Sequence, residues 1–123
     1  MEDLAIVISL FNPNQHHLKK ILNEFSGINI YLVDDNPNSH VDIRFFKNLK
    51  NVSYNKNVKN LGIAASLNGI LEILPDYKYL LFLDQDTIIS GVDLESHLDK
   101  FISIKSYNKM GIGVSSYYHS KKY

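Results

Sequence analysis

Short apolar runs alternate along this chain with longer segments in which apolar side chains recur at helical spacing. Apolar runs bounded by turn formers are typical of buried strands, and apolar residues three or four positions apart are typical of amphipathic helices. The predicted strands cover residues 5–10, 28–33, 52–54, 79–83 and 111–118. The predicted long helices carry Leu18, Ile21, Leu22 and Phe25; Leu67, Ile70, Leu71 and Leu74; and Leu94, Leu98, Phe101 and Ile102.

A further short helix is predicted over residues 41–49. Apolar strands that alternate with amphipathic helices are typical of parallel sheets, whose two faces are both covered by helices. The pattern therefore predicts the α/β class, with a mainly parallel sheet and helices on both faces. With 123 residues and no repeat or low-complexity linker, we expect a single domain over 1–123.

Composition excludes several classes of function. The 13 basic and 13 acidic residues give a net charge of zero, so no nucleic-acid partner is expected. Cysteine is absent, which excludes a disulfide framework and a thiol nucleophile and is compatible with a cytoplasmic location. No stretch approaches the roughly 20 apolar residues of a membrane span, so any membrane association is expected to be peripheral, at the inner face.

Polar residues collect where the predicted strands end. In parallel sheets, ligands bind beyond the carboxyl ends of the strands. The residues at these ends are Asn12, Asp34, Asp35, Asn60, Gly62, Asp84 and Asp86. Each also has a purely structural interpretation: Asn12 precedes Pro13 and suits a turn, and residues 34–39 suit an Asx-turn with a helix cap.

The most informative segment is Leu80–Thr87, where an apolar run ends in two carboxylates, Asp84 and Asp86. If the strand continued, both would lie on one side of it. Two like charges about 4 Å apart cost roughly 4 kcal/mol at an effective dielectric of 20, and a cation would relieve that cost. Carboxylate oxygens suit Mg²⁺ or Mn²⁺. The alternative is a solvated turn without a metal.

The loop 57–69 contributes Asn60, Gly62 and small residues at the start of the second long helix. Free backbone N–H groups at a helix start bind anions. The loop matches neither the Walker nor the dinucleotide-binding glycine motif. Small residues here are also explained by close packing of the helix against the sheet.

Four sequence blocks together resemble the family 2 glycosyltransferases of GT-A fold, and within them the bacterial rhamnosyltransferase-like members. The blocks, in the expected order, are Ile6–Pro13, Tyr31–Asn36, Asn60–Ile70 and Leu81–Thr87. The resemblance implies transfer of a sugar from a nucleoside-diphosphate sugar, such as dTDP-rhamnose or a UDP-hexose, to a glycan or lipid-linked acceptor in polysaccharide biosynthesis.

The resemblance also implies residue roles. Asp34 would read the base, and Phe11 and Asn12 would border it. Asp84 and Asp86 would match the family's D-x-D element, which holds the ribose and the diphosphate-bound Mg²⁺ or Mn²⁺. By the same resemblance, the region of Asn60 and Gly62 would line the pocket for the nucleoside and the phosphates.

The chain departs from the family pattern at three places. Leu10 and Phe11 stand where the family has a hydroxylic residue and a tyrosine, and residues 36–39 replace a glycine-serine turn. The catalytic base and the acceptor-binding half are expected beyond residue 123. Asp93 and Glu95 are not assigned that role, because acids in the first turn of a helix are explained by its dipole.

Other functions stay open at this point. One is a noncatalytic nucleotide-sugar-binding module, and another is a receiver-like phosphoacceptor domain, which is also doubly wound and of similar length. The aromatic and basic tail, residues 117–123, suits either contact with phosphate or a membrane, or a frayed terminus. A truncated fold would also expose apolar surface and favour a homo-oligomer.

Overall fold

The computed structural model describes residues 2–108, with side chains up to residue 103. Residues 1–88 form one compact unit and a second unit begins at Ile89, so each is described by itself. The first unit contains β1 Leu4–Leu10, α1 Gln15–Glu24, β2 Asn29–Asp34, β3 Val52–Lys56, α2 Ile63–Ile73 and β4 Tyr79–Asp84. The second contains α3 Gly91–Asn108.

The four strands form one parallel sheet in the order β3-β2-β1-β4. From β1 the chain moves through α1 to β2 and then β3, and it returns through α2 to β4 on the other side of β1. Parallel crossovers are right-handed, so crossovers in opposite directions place their helices on opposite faces. The chain therefore changes direction between β1 and β4, which is the position where sheets of this kind bind ligands.

The strand β1 is the centre of the core. Six of its seven residues are buried, because the strand has neighbours on both edges and apolar side chains on both faces. On one face, Val7 and Val33 pack with Ile70 of α2. Alternation along the strand turns Ile6 and Ile8 to the opposite face, and both are fully buried.

The helix α1 begins at an asparagine cap, since the Asn14 side chain accepts a hydrogen bond from the His17 N–H at 3.0 Å. It buries Leu18, Ile21 and Leu22, the apolar stripe that the sequence predicts. Burying one such side chain contributes about 1.5–3 kcal/mol, which exceeds what helix propensity alone supplies.

One predicted helix is much shorter in the structure. The segment 41–49 forms only a 3-10 turn, Ile43–Phe45, begun by Asp42. Within that segment only Phe46 is buried, so it lacks the apolar stripe that would hold a longer helix against the sheet.

In the second unit, α3 agrees with the predicted helix. The Ser90 hydroxyl accepts from the Asp93 N–H at 3.1 Å and donates to the Asp93 carboxylate at 2.7 Å. This reciprocal contact supports the structural interpretation of Asp93. The predicted strand 111–118 lies outside the described residues. Among the described helices, none is long and apolar enough to cross a membrane.

Candidate functional site

The end of β4 and the turn after it carry two carboxylates, Asp84 and Asp86, which the sequence predicts to match a D-x-D element. Asp84 is the last residue of β4 and pairs with Ser9 of β1. The strand does not continue to Asp86, because the Thr87 N–H donates to the Asp84 carbonyl at 3.1 Å and closes a turn. Both carboxylates are exposed at this turn. The turn, and not a continued strand, therefore presents them to solvent.

These carboxylates fit a divalent metal that a ligand helps to bind. The described residues contain no group of three or more His, Cys, Asp and Glu side chains able to hold a metal ion. Mg²⁺ is usually held by one or two carboxylates together with waters and substrate phosphates. Asp84 and Asp86 supply that number of carboxylates, so the site suits a metal that arrives with a diphosphate.

Gln85, between the two carboxylates, binds the end of β1. The Phe11 N–H donates to its Oε1 at 2.7 Å, and its Nε2 donates to the Phe11 carbonyl at 3.1 Å. The turn is also held from α1, since His17 Nε2 lies 3.1 Å from the Thr87 carbonyl. Gln85 is therefore bonded to the backbone directly after β1, where Phe11 and Asn12 lie.

Phe11 and Asn12 lie at the carboxyl end of β1. The Phe11 side chain is 48% exposed. Asn12 has φ of 49°, in the left-handed region that few residues other than glycine adopt. Its Oδ1 accepts a hydrogen bond from Asn36 Nδ2 at 2.6 Å, which links the ends of β1 and β2.

An open cleft lies beside Asn12. Its volume of 160 Å³ is below the roughly 300–1,000 Å³ of pockets that hold a whole ligand, so it suits one part of a ligand. The cleft wall is braced by Gln15, whose Oε1 accepts from the Asp42 N–H at 3.2 Å. The lining residues are Asn12, Pro13, Gln15, Ser39, His40 and Val41.

Asp34, at the end of β2, is fully buried. Its Oδ1 accepts from the Asn36 N–H at 3.1 Å, and its Oδ2 accepts from the Tyr54 hydroxyl at 2.5 Å. Burial, together with the hydrogen bond to Asp34, raises the pKa of Tyr54 to about 12. Both carboxylate oxygens of Asp34 therefore have partners within the protein.

Asp35 is at a predicted strand end, but no role in the site is predicted for it from the sequence. Its carboxylate, 7% exposed, accepts hydrogen bonds from the Leu61 N–H at 2.8 Å, the Gly62 N–H at 2.9 Å and Asn57 Nδ2 at 2.9 Å. Burial raises its pKa, but bonds from these groups and Ser66 outweigh burial and hold the pKa below its ordinary value. The sequence signal for this role is the adjacent pair Asp34-Asp35, because consecutive residues at the end of a strand face opposite sides and two acids there predict two different sets of partners.

The loop before α2 is held by Asp35. Asn60 and Gly62 are exposed, but the Gly62 N–H is bonded to Asp35 and also lies 3.1 Å from Asn60 Oδ1. The N–H groups of Leu61 and Gly62, which precede the first residue of α2, both bind the Asp35 carboxylate. Anion binding by the helix start itself stays a prediction. Gly62 has φ of 83°, so glycine is required by the backbone here.

The contacts assemble the predicted residues in two groups. The first joins the ends of β1 and β4 through Phe11 and Gln85, with Asn12 and the exposed carboxylates around it. The second joins the end of β2 to the start of α2 through Asp35. A parallel sheet with its polar residues at this edge is typical of α/β domains, which as a class bind ligands beyond their strand ends.

Comparison with known proteins identifies the family. A model of glycosyl transferase family 2 matches residues 7–120, and the chain therefore belongs to this family. The structure resembles the crystal structure of S. aureus TarS 1-349, with a TM-score of 0.63 and 16% identity. The match covers 94% of this chain and 39% of that chain. No curated protein sequence gives a significant match.

These findings confirm the predicted α/β fold with a mainly parallel sheet and the predicted family, and four of the five predicted strands lie within the described residues. They also exclude the receiver-like alternative, because the family match spans almost the whole chain. The site residues, the single-domain boundaries and the rhamnosyltransferase-like specificity stay predictions.

Proposed function

We propose that this chain forms the donor-binding part of a metal-dependent glycosyltransferase. The donor is a nucleoside-diphosphate sugar, either dTDP-rhamnose or a UDP-hexose, and the acceptor is a glycan or a lipid-linked molecule. One observation carries the proposal: the exposed carboxylates of Asp84 and Asp86 lie on a turn bonded to Phe11, where the direction of the sheet changes.

Each end of the donor has residues suited to it. Asp84 and Asp86 hold the cation beside the diphosphate, and when bound, Mg²⁺ or Mn²⁺ neutralises charge on the leaving diphosphate. The half-exposed ring of Phe11 offers an apolar face to the base. The cleft beside Asn12 is of a size for one ring of the donor.

The burial of the two aspartates after β2 refines their proposed roles. Asp34 acts through the residues that it holds, because its carboxylate is buried and bonded to Tyr54 and Asn36. Asp35 shapes the pocket wall by fixing the loop that contains Asn60 and Gly62. Neither carboxylate is free to leave its partners without cost.

Turnover is part of the proposal, together with a catalytic base and acceptor segments beyond residue 123. The chain spans 39% of the TarS structure that it resembles. This coverage also suits the noncatalytic nucleotide-sugar-binding module, so the first experiment measures binding, which both functions share. Location at the inner face of the membrane and a homo-oligomeric state stay predictions.

Calorimetric titration of UDP and dTDP into the 123-residue chain, with and without Mn²⁺, tests the donor site. We expect Mn²⁺ to strengthen binding at least tenfold and Asp86→Ala to remove that gain. Asp76→Ala, at an exposed aspartate outside the site, is the matched control and should bind as the wild type does. Binding that ignores both Mn²⁺ and Asp86→Ala would contradict the proposal.

A further inference from the structure

The side chain of Gln85 continues the hydrogen-bonded ladder between β1 and β4. The last backbone pair of that ladder is Ser9 with Asp84, after which β4 turns away. On the β4 side, the Phe11 peptide would then have no strand backbone to bond to. Gln85 Oε1 accepts from the Phe11 N–H at 2.7 Å and Nε2 donates to the Phe11 carbonyl at 3.1 Å.

This substitution of a side chain for a strand has a specific requirement. The residue must both accept and donate, and it must reach from the turn across to β1. A primary amide has both groups at its end. Asparagine is one methylene shorter, glutamate lacks the donor, and methionine has similar length but neither group in comparable strength. Among these residues, glutamine alone suits the position.

The segment that Gln85 holds is one that needs holding. Asn12 follows Phe11 directly and has φ of 49°, in the left-handed region, which asparagine tolerates better than other non-glycine residues but which still has a cost that its surroundings must offset. Asn36 fixes Asn12 from the β2 side through a bond of 2.6 Å. Gln85 fixes the preceding peptide from the β4 side. The Phe11-Asn12 turn is therefore restrained by both neighbouring strands.

We propose that Gln85 is a positioning residue that sets the distance between the base side and the metal side of the donor site. It touches neither the metal nor the base; it fixes Phe11 and Asn12 relative to the carboxylates that flank it, Asp84 and Asp86. The inference rests on the proposed function. It adds that a ligand which spans both sides depends on Gln85, whereas a ligand confined to the metal side does not.

The test compares two ligands on the variant Gln85→Met. Mn²⁺ with UDP spans both sides of the site, and Mn²⁺ with inorganic pyrophosphate contacts the metal side alone. We expect Gln85→Met to weaken UDP binding about tenfold, because the lost preorganisation is now a cost of binding. Pyrophosphate binding should stay within about twofold of the wild type. Equal weakening of both ligands, or of neither, would overturn the proposal.

Amide hydrogen exchange supplies a measurement that needs no ligand. The Phe11 amide should exchange at least tenfold faster in Gln85→Met, while the amides of Ile6 and Ile8, within the β1 ladder, keep their protection. Unchanged exchange at Phe11 would refute the link. Gln85→Asn serves as a second variant in case Gln85→Met folds poorly. Its side chain is too short to reach the Phe11 peptide, so it should give the same exchange pattern.

Failure of the proposed function has a different signature. In that case the wild-type chain itself shows no Mn²⁺-dependent binding of UDP, dTDP or pyrophosphate, before any variant is made. Loss of the Gln85 inference alone leaves wild-type binding intact and removes only the difference between the two ligands.

Discussion

The Asp35 carboxylate accepts several hydrogen bonds from the loop before α2, and the variant Asp35→Asn tests how much these bonds contribute to the free energy of unfolding. In the wild type it accepts bonds from the N–H groups of Leu61 and Gly62 and from Asn57, all within 2.9 Å. The asparagine oxygen can keep the bonds on one side. Its amide nitrogen then faces the Gly62 N–H, which loses its bond to residue 35 and keeps only the longer contact with Asn60 Oδ1 at 3.1 Å.

The expected cost follows from these contacts. Hydrogen bonds to a charged group contribute about 1.5–3 kcal/mol and neutral ones about 1 kcal/mol. Loss of charge on the two retained bonds and loss of the bond from Gly62 together predict that Asp35→Asn lowers the free energy of unfolding by about 3 kcal/mol. That is a large share of the roughly 5–15 kcal/mol typical of a domain.

Urea unfolding followed by far-ultraviolet circular dichroism measures this change. With a slope of about 2 kcal/mol per molar, a loss of about 3 kcal/mol moves the midpoint by about 1.5 M. Asp76→Asn makes the same chemical change at an exposed position and should move the free energy by less than about 0.5 kcal/mol. Equal midpoints for the two variants would refute the reasoning.

Acid titration gives a second test of the same contact. Despite burial, hydrogen bonds hold the folded-state pKa of Asp35 below its ordinary value of 3.8, so its charged form stabilises the fold above pH 3.8. That contribution is lost as the pH falls from 3.8 through the folded-state pKa. The difference in stability between wild type and Asp35→Asn should therefore shrink with falling pH in this window. A difference that stays constant would contradict the assigned charge state.

Further variants separate backbone and side-chain effects in the same unit. Gly62→Ala should lower the free energy of unfolding by about 1 kcal/mol, because the φ of Gly62 is 83°. Gly69→Ala, at an exposed position in the middle of α2, should raise it by up to about 1 kcal/mol. Thermal unfolding of both variants measures whether the two changes have opposite signs. Tyr54→Phe should cost about 1–3 kcal/mol by leaving Asp34 Oδ2 without its donor. A double-mutant cycle with Asp34→Asn should show coupling above 0.5 kcal/mol, and additive effects would argue against the bond.

The strands and long helices could be predicted because their apolar residues repeat with the period of the element that they form. The run Ala5–Leu10 is apolar almost throughout, which suits a strand buried on both faces, and β1 has that environment. The segment 41–49 was predicted wrongly as a short helix, because its apolar residues do not form a stripe and only Phe46 is buried. Periodicity cannot report which strands become neighbours, so the order β3-β2-β1-β4 required the structure.

For the site, the sequence indicates residue types at strand ends but not how they pair. The sequence places Asp35 and the loop before α2 at the same edge of the sheet, but it does not show that the Asp35 carboxylate binds the N–H groups of Leu61 and Gly62. The link from Gln85 to Phe11 was also beyond prediction, because it joins side chain and backbone 74 residues apart with no periodic signal. Local patterns locate the rim of the site, and only tertiary contacts assign partners within it.

The pairing of β4 with β1 also has a consequence for the order of folding. The Phe11 to Gln85 contact closes a loop of 74 residues, whose entropic cost is about 4 kcal/mol, roughly 1 kcal/mol more than closing β1 on β2 across a single helix. Long-range contacts form late because they must offset this cost. We therefore expect β1, α1 and β2 to assemble first, and the turn with Asp84 and Asp86 to reach its place only when β4 docks. During refolding, recovery of the nucleotide binding proposed above should lag behind recovery of helical signal, because that binding requires β4 to have paired with β1.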